Sequence, residues 1–520
     1  MYMDHLVSFI KETTYDDIPT EAIQRIKTAF IDTLGVAVAA EREPVTRHLT
    51  RIVPLFFNPQ TTSVDLNSVD LYKGMGQQET TDSRNMNEKE DTHLLTAPLE
   101  MALRGNPLTF SLLFGTMAHA LDYDDNSVTF QGHPSSVLVS TILGLAKDLY
   151  CRGSTMNGRY MSGKPTSGGH MSWEPMSGKQ MMEAYAVGFE VLAKLSEVFV
   201  LQQYGRGWHT TATIGLFGAV ASAAKILRLN EEEIGHALGI AGSLSSGIRK
   251  NFGTMTKPLH VGLTSMHAIM AAQLASGGIN ACPDIFSGTM GIDRLMANVS
   301  ADFAPLATLG HQWDLLDMGI TIKKYPCCAS THRSIDAALS LVREHSLVPS
   351  EIEAVDVFVH HLVPSILVYP VPRNELEAKF SMPFCVAAAI HDQKIDLHTF
   401  GRFNDENLRE LSTKVKMSVH PLQREGLEPR ERFAEVRIHT KERSYSKRVE
   451  FPKGHPGNPM SVEEVYAKFA ECTSARMDQD QIHKLFDIFL SLEERSVDDV
   501  MSALCLQKSP LSLRERSSLW

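Results

Sequence analysis

Apolar residues recur with a helical period from Pro19 to about residue 320. Ile23, Ile26, Phe30 and Leu34 share one face at the i, i+3, i+7, i+11 spacing, and Pro19 with Thr20 supplies a start signal. Asn230, followed three places later by Glu233, has the form of a capping box ahead of Ile234, Leu238 and Ala241. Two later stretches, Leu216 to Ala224 and Met266 to Ala275, are dominated by small residues. Small side chains let helix axes approach closely, so the pattern predicts a compact helical domain with several helices buried on most sides.

The period changes near Gly319. Alternation appears at Ile320 and Ile322, at Val355, Val357 and Val359, at Val415, Met417 and Val419, and at Val436 and Ile438. Helical patterns from Ser334 to Arg343 and from Phe384 to Asp392 interrupt it, which predicts a small α+β domain with an antiparallel sheet. Pro452-Lys-Gly-His-Pro-Gly-Asn-Pro breaks that pattern, and Ser461-Val-Glu-Glu-Val opens a helical tail. The expected fold class is mainly α with an α+β second domain. Residues 1–319 form the helical domain, 320–455 a lid, and 456–520 a return to the helical domain. Two polar segments, 60–91 and 153–179, fit neither period; the second repeats Met-Ser-Gly-Lys at Met161 and Met176. Both read as mobile surface insertions.

Composition narrows the function. The 520 residues carry a formal net charge of −11, with no global attraction for nucleic acid or an acidic membrane. The seven cysteines are odd in number and include no C-x-x-C pair, which argues against a disulfide scaffold, a zinc knuckle and an iron–sulfur site. The N-terminus lacks a basic n-region, and the best membrane candidate, Ile214 to Leu227, is short and broken by Lys225. A cytoplasmic protein is expected, with a mitochondrial location left open.

Four loops concentrate the reactive side chains. His119-Ala-Leu-Asp-Tyr-Asp-Asp-Asn places three aspartates within four residues, and Gly132-His133-Pro134 follows. Such aspartates repel one another unless cations or helix N-termini neutralise them, and taken singly Asp124, Asp125 and Ser135 read first as helix caps around a loop. His133, between Gly and Pro, has the side chain best matched to proton transfer near neutral pH. His209 precedes a small-residue helix, Lys257 sits in a Gly/Thr loop before another, and Lys323 lies where the two textures meet. Each also has a plain structural reading as a helix-start or surface residue. Together they suggest a local basic pocket for a small polyanion such as a di- or tricarboxylate. No dinucleotide fingerprint, P-loop or Gly-x-Ser-x-Gly elbow is present.

At these residues the chain resembles the MmgE/PrpD family, which contains 2-methylcitrate dehydratases and cis-aconitate decarboxylases. The matching blocks are His119-Ala-Leu-Asp-Tyr-Asp-Asp with His133-Pro134, Gly207-Trp-His209, Gly253-Thr-Met-Thr-Lys-Pro-Leu-His, Ile322-Lys-Lys-Tyr-Pro-Cys-Cys and Glu377-Ala-Lys-Phe-Ser-Met. The resemblance implies a helical domain with an α+β lid, a homodimer, a small tricarboxylate substrate, and catalysis with neither metal nor organic cofactor. It places Asp122, His133, His209, Lys257 and Lys323 at the cleft. On that basis His133 transfers a proton, Asp122 orients or polarises it, and Lys257, Lys323 and His209 hold carboxylates. Asn126 and Cys328 stand where animal-type decarboxylases carry Thr and His, and Ile366 roughly where they place a Tyr. Those departures favour dehydration of a 2-methylcitrate- or alkylcitrate-type substrate, with cis-aconitate decarboxylation as the alternative. A non-catalytic scaffold is the second alternative, because the stretch from Arg104 to Leu113 is atypical for the family and precedes the Asp/His motif.

Overall fold

The computed structural model describes residues 2–57, 98–155, 176–424, 426–427 and 429–505. The segment 60–91, and 156–175 of the second polar segment, lie outside these residues. Ile23, Ile26, Phe30 and Leu34 form the buried face of the Thr20–Ala39 helix. Asn230 and Glu233 exchange the two bonds of a capping box, at 3.0 and 2.8 Å. The second Met-Ser-Gly-Lys copy belongs to no surface insertion. Ser177 caps the Gly178–Gly205 helix, and a Cβ on Gly178 would lie 1.7 Å from the Leu492 carbonyl oxygen. Met176 and Gly178 are buried there and Lys179 is exposed, because the cap and the close backbone approach fall on Ser177 and Gly178.

Two hydrophobic cores result. The larger runs from Leu6 to Ile322 and takes in Val465, Phe469, Phe489 and Leu504 from the C-terminal helices. The smaller lies between Tyr325 and Ile438. Its sheet has strands β1 (Ile352–Val359), β2 (Val415–Val419), β3 (Ala434–Thr440) and β4 (Ser444–Val449) in the order β2-β1-β3-β4. β1 pairs with β3 and β3 with β4 antiparallel, but β1 and β2 are parallel. The sheet is therefore mixed, not antiparallel, because the Met382–Asp392 and Glu406–Thr413 helices carry the chain across before β2 begins. Ile320 and Ile322 form no strand; Thr321 between them makes an isolated bridge with Asn126. Among the described residues no helix is long and apolar enough to cross a membrane.

Candidate active site

The Pro107–Ala120 helix delivers the Asp/His motif. Asn106 caps it, its Oδ1 accepting from the Thr109 amide at 2.9 Å, and Pro107 occupies the first turn. From Asn106 onward the atypical stretch is thus the start of a well-capped, buried helix, and Arg104 ends the preceding Pro98–Arg104 helix. After His119 the chain turns sharply, with Asp122 and Gln131 both at φ 52, in the left-handed region that non-glycine residues rarely adopt. The second turn is fastened from outside: the His133 amide donates to Thr211 Oγ1 at 3.1 Å. A Cβ on Gly115 would lie 3.0 Å from Gly262 Cα, so glycine lets this helix lie against the Thr256–Ser276 helix that bears Lys257.

Close approach brings charge together. Lys257 Nζ lies 2.7 Å and Lys323 Nζ 3.1 Å from Asp122 Oδ1, and Lys323 also donates to the Asp122 carbonyl at 2.7 Å. Burial alone would raise the Asp122 pKa, but the two ammoniums hold it far below the ordinary carboxylate range. Burial likewise works against a charged Lys323, yet Asp122 and Asp124 hold its pKa up. The three aspartates therefore have three fates. Asp124 accepts from His119 Nδ1 at 2.8 Å and is kept well below the ordinary range against burial by its His119 and His133 neighbours. Asp125, bonded to Ser135, is pushed up to about 8 by burial.

His133 is held in one state. Its Nδ1 sits 2.8 Å from the Asp125 carbonyl oxygen, which can only accept, so Nδ1 carries the hydrogen and Nε2 the lone pair. Nε2 lies 3.7 Å from Asp122 Oδ1. Burial keeps the ring's pKa below the usual imidazole value; Asp124 pulls it up, and the Lys323 and Lys257 charges work against that pull. His119, packed edge-on at 4.4 Å between ring centroids, is pushed by burial to about 3. His209 and His260 share one hydrogen bond at 3.1 Å between their Nδ1 atoms; burial holds His209 well below its ordinary pKa and His260 at about 4.

These groups surround an inner cavity of about 150 Å³ lined by Asp122, Asn126, His133, His209, Lys257 and Cys328, with Tyr204, Phe252, Phe380, Ile366, Arg333 and Arg432 completing its wall. Burial raises the Cys328 pKa to about 11, so it presents a thiol. Tyr204, Phe252, Ile366 and Arg432 also line a wider outer cleft of about 1980 Å³.

Models of the MmgE/PrpD N-terminal domain match residues 4–70 and 85–303, and those of the MmgE/PrpD C-terminal domain match residues 325–494. The chain belongs to the MmgE/PrpD family. Within it, cis-aconitate decarboxylase of Homo sapiens is 26% identical over 428 residues, covering 80% of this chain and 82% of that protein. Cis-aconitate decarboxylase of Aspergillus terreus is 21% identical over 521 residues, covering 95% and 94%. The family's N-terminal match carries Asp122, His133, His209 and Lys257, and its C-terminal match carries Cys328.

Six of the seven residues expected at the site line one cavity; Lys323 is sealed beneath it, with its ammonium on Asp122. Lys257 and Lys323 both lie against Asp122, Lys257 also lining the cavity, and the Nδ1 side of His133 faces the Asp125 carbonyl and Asp124 at 3.4 Å, with Asp122 on its Nε2 side. His119 and Asp124, within the quoted motif, are positioning residues that sequence reading left unassigned. One ligand atom each from His119, Asp122, Asp124 and His133 lies within 4.8 Å of the others, a metal-like donor set. Two ammoniums already occupy the Asp122 carboxylate, however, and would repel a dication there.

Proposed function

We propose that this chain is a lyase acting on a tricarboxylate, and that it dehydrates a 2-methylcitrate- or alkylcitrate-type hydroxy acid. His133 Nε2 takes the proton from a carbon next to a carboxylate. The C–H electron pair becomes the new C=C bond as the C–O bond breaks, and hydroxide leaves with a proton as water. Lys257 lines the cavity, offsets negative charge growing on the substrate carboxylate and stands as the acid for the departing hydroxyl. Lys323 keeps Asp122 ionised from below, and His209 offers a neutral donor to a second carboxylate.

The observation that carries this reading is the 2.8 Å contact of His133 Nδ1 with the Asp125 carbonyl oxygen, which takes the ring hydrogen and leaves Nε2 of this cavity-lining ring as the nitrogen able to accept a proton, with burial lowering the pKa. Proton abstraction needs a base that is free in the ground state, whereas decarboxylation needs a donor for the carbon that loses CO2. Among the described residues, Asp122 Oδ2 and Asn126 Oδ1 are buried acceptors without a donor. A hydroxy acid brings a hydroxyl to that wall; ionised cis-aconitate brings none. The outer cleft at Ile366 gives an alkyl substituent room. The names of the relatives favour a second reading, decarboxylation of cis-aconitate to itaconate. Incubation with citrate, 2-methylcitrate, longer alkylcitrates and cis-aconitate separates the two: an unsaturated product without CO2 is expected, and CO2 release from cis-aconitate alone would replace dehydration with the second reading.

A further inference from the structure

One cationic side chain at the inner cavity has no role in the proton transfer. Arg333 lies in the Ala329–His345 helix of the smaller core, three residues after Ser330, so the two share a helix face, and both line the cavity wall with Ala329. Its Nε donates to the Glu450 carbonyl at 2.7 Å, which fixes the plane of the guanidinium. Among the described residues no carboxylate pairs with it, and its terminal nitrogens make no hydrogen bond. Burial, with Arg432 as its charged neighbour, pushes its pKa down to about 10. The contrast with the opposite wall is clear, because there Lys257 and Lys323 already share Asp122. Positive charge left unneutralised in a cavity this small is balanced most directly by an anionic ligand.

We infer that Arg333 is a specificity-determining residue that grips a substrate carboxylate remote from the reacting carbon. A planar guanidinium offers two parallel N–H donors to a carboxylate, which a point-charge ammonium cannot do. The substrate then bridges the two cores, held by Lys257 on the helical side and by Arg333 on the lid side. A ligand lacking the distal carboxylate leaves Arg333 unmatched, so the site selects three carboxylates over two. This inference rests on the tricarboxylate reading.

The test compares wild type, Arg333→Gln and Arg333→Lys against citrate, with three carboxylates, and citramalate, which keeps the tertiary hydroxyl but has two. Binding is read by calorimetry and, where turnover occurs, kcat and KM are read separately. The expected result is a wild type that prefers citrate, an Arg333→Gln variant whose citrate affinity falls about tenfold or more while citramalate binding stays level, and partial recovery in Arg333→Lys. The loss should appear in KM more than in kcat. Equal citrate affinity in wild type and a folded Arg333→Gln overturns the inference and leaves the proposed reaction standing. Should Arg333→Gln not fold, a full citrate preference retained by Arg333→Lys overturns the planar two-donor grip, and a reduced one supports it. Citrate binding that depends on Arg333 without turnover removes the reaction and keeps the subsite. A wild type that binds neither citrate nor 2-methylcitrate overturns both.

Discussion

A buried imidazole gives up its proton more readily than an exposed one, because the charged form loses its hydration, and two nearby ammoniums strengthen that preference at His133. Activity that needs the neutral ring must therefore persist at neutral pH and disappear as pH falls through the lowered pKa. On the proposed reaction, kcat/KM should be level near pH 7 and fall on the acid side only below about 6.5; a decline beginning above pH 7 would contradict the assignment. His133→Gln should cost about 10²- to 10⁴-fold in kcat with the melting temperature retained. Asp125 gives the opposite kind of pH dependence. Its pKa of about 8 in the folded chain stands above the ordinary 3.8, so between those values the folded state holds a proton that the unfolded state has lost. Stability from this group is complete below the lower value and declines by about 1.4 kcal/mol per pH unit as pH rises through the window. Asp125→Asn removes that slope, so the melting temperature of the variant relative to wild type should climb from pH 5 to pH 8. In the sequence the flanking Gly and Pro mark His133 as exceptional, whereas Asp122 stands out from its neighbouring aspartates only through the family resemblance. Sequence reading could not separate Asp124 from Asp125, since adjacent carboxylates look alike until His119 is found against one and Ser135 against the other.

At the level of elements, the hydrophobic period was readable wherever one face of a helix is buried, as along Thr20–Ala39, and unreadable wherever pairing depends on distant chain. β4, Ser444–Val449, alternates exposed and half-exposed residues and carries Lys447 and Arg448, as an edge strand does, so no apolar alternation announces it. The parallel pairing of β1 with β2 is equally hidden, because residue period is the same for either strand direction. Helix contacts, in contrast, leave a mark as glycine. A Cβ on Gly262 would lie 2.2 Å from the Leu112 carbonyl oxygen and 2.3 Å from Thr116 Oγ1. Gly262→Ala must push the Thr256–Ser276 helix away from Pro107–Ala120, and the overpacking should cost about 1–3 kcal/mol. Because Lys257 rides on the displaced helix, catalytic activity should fall by more than the lost folded fraction; chemical denaturation and kcat at low temperature, measured together, distinguish the two effects.

Across the whole molecule, the C-terminal helices complete the site as well as the core. Lys468, in the Val462–Thr473 helix, crosses to Asp32 at 2.5 Å, donates to the Tyr123 carbonyl at 2.9 Å and lies over the Tyr123 ring at 3.9 Å. Tyr123 sits between Asp122 and Asp124, so the Val462–Thr473 helix holds the loop that carries both carboxylates. Asp32 and Lys468 are both buried, and removal of one partner leaves a charge without compensation. Lys468→Met should therefore destabilise the chain by about 3–5 kcal/mol. Adding Asp32→Asn removes the stranded carboxylate and should recover most of that loss. Activity should not recover with it, because the Tyr123 carbonyl still lacks its donor and the Asp122 loop is free to shift against Lys257 and His133. Urea unfolding and kcat/KM of the single and double variants give the answer: wild-type activity in the stabilised double variant would mean that Lys468 supports only the core, whereas restored stability with lost activity shows that a helix some 345 residues away along the chain positions the catalytic loop.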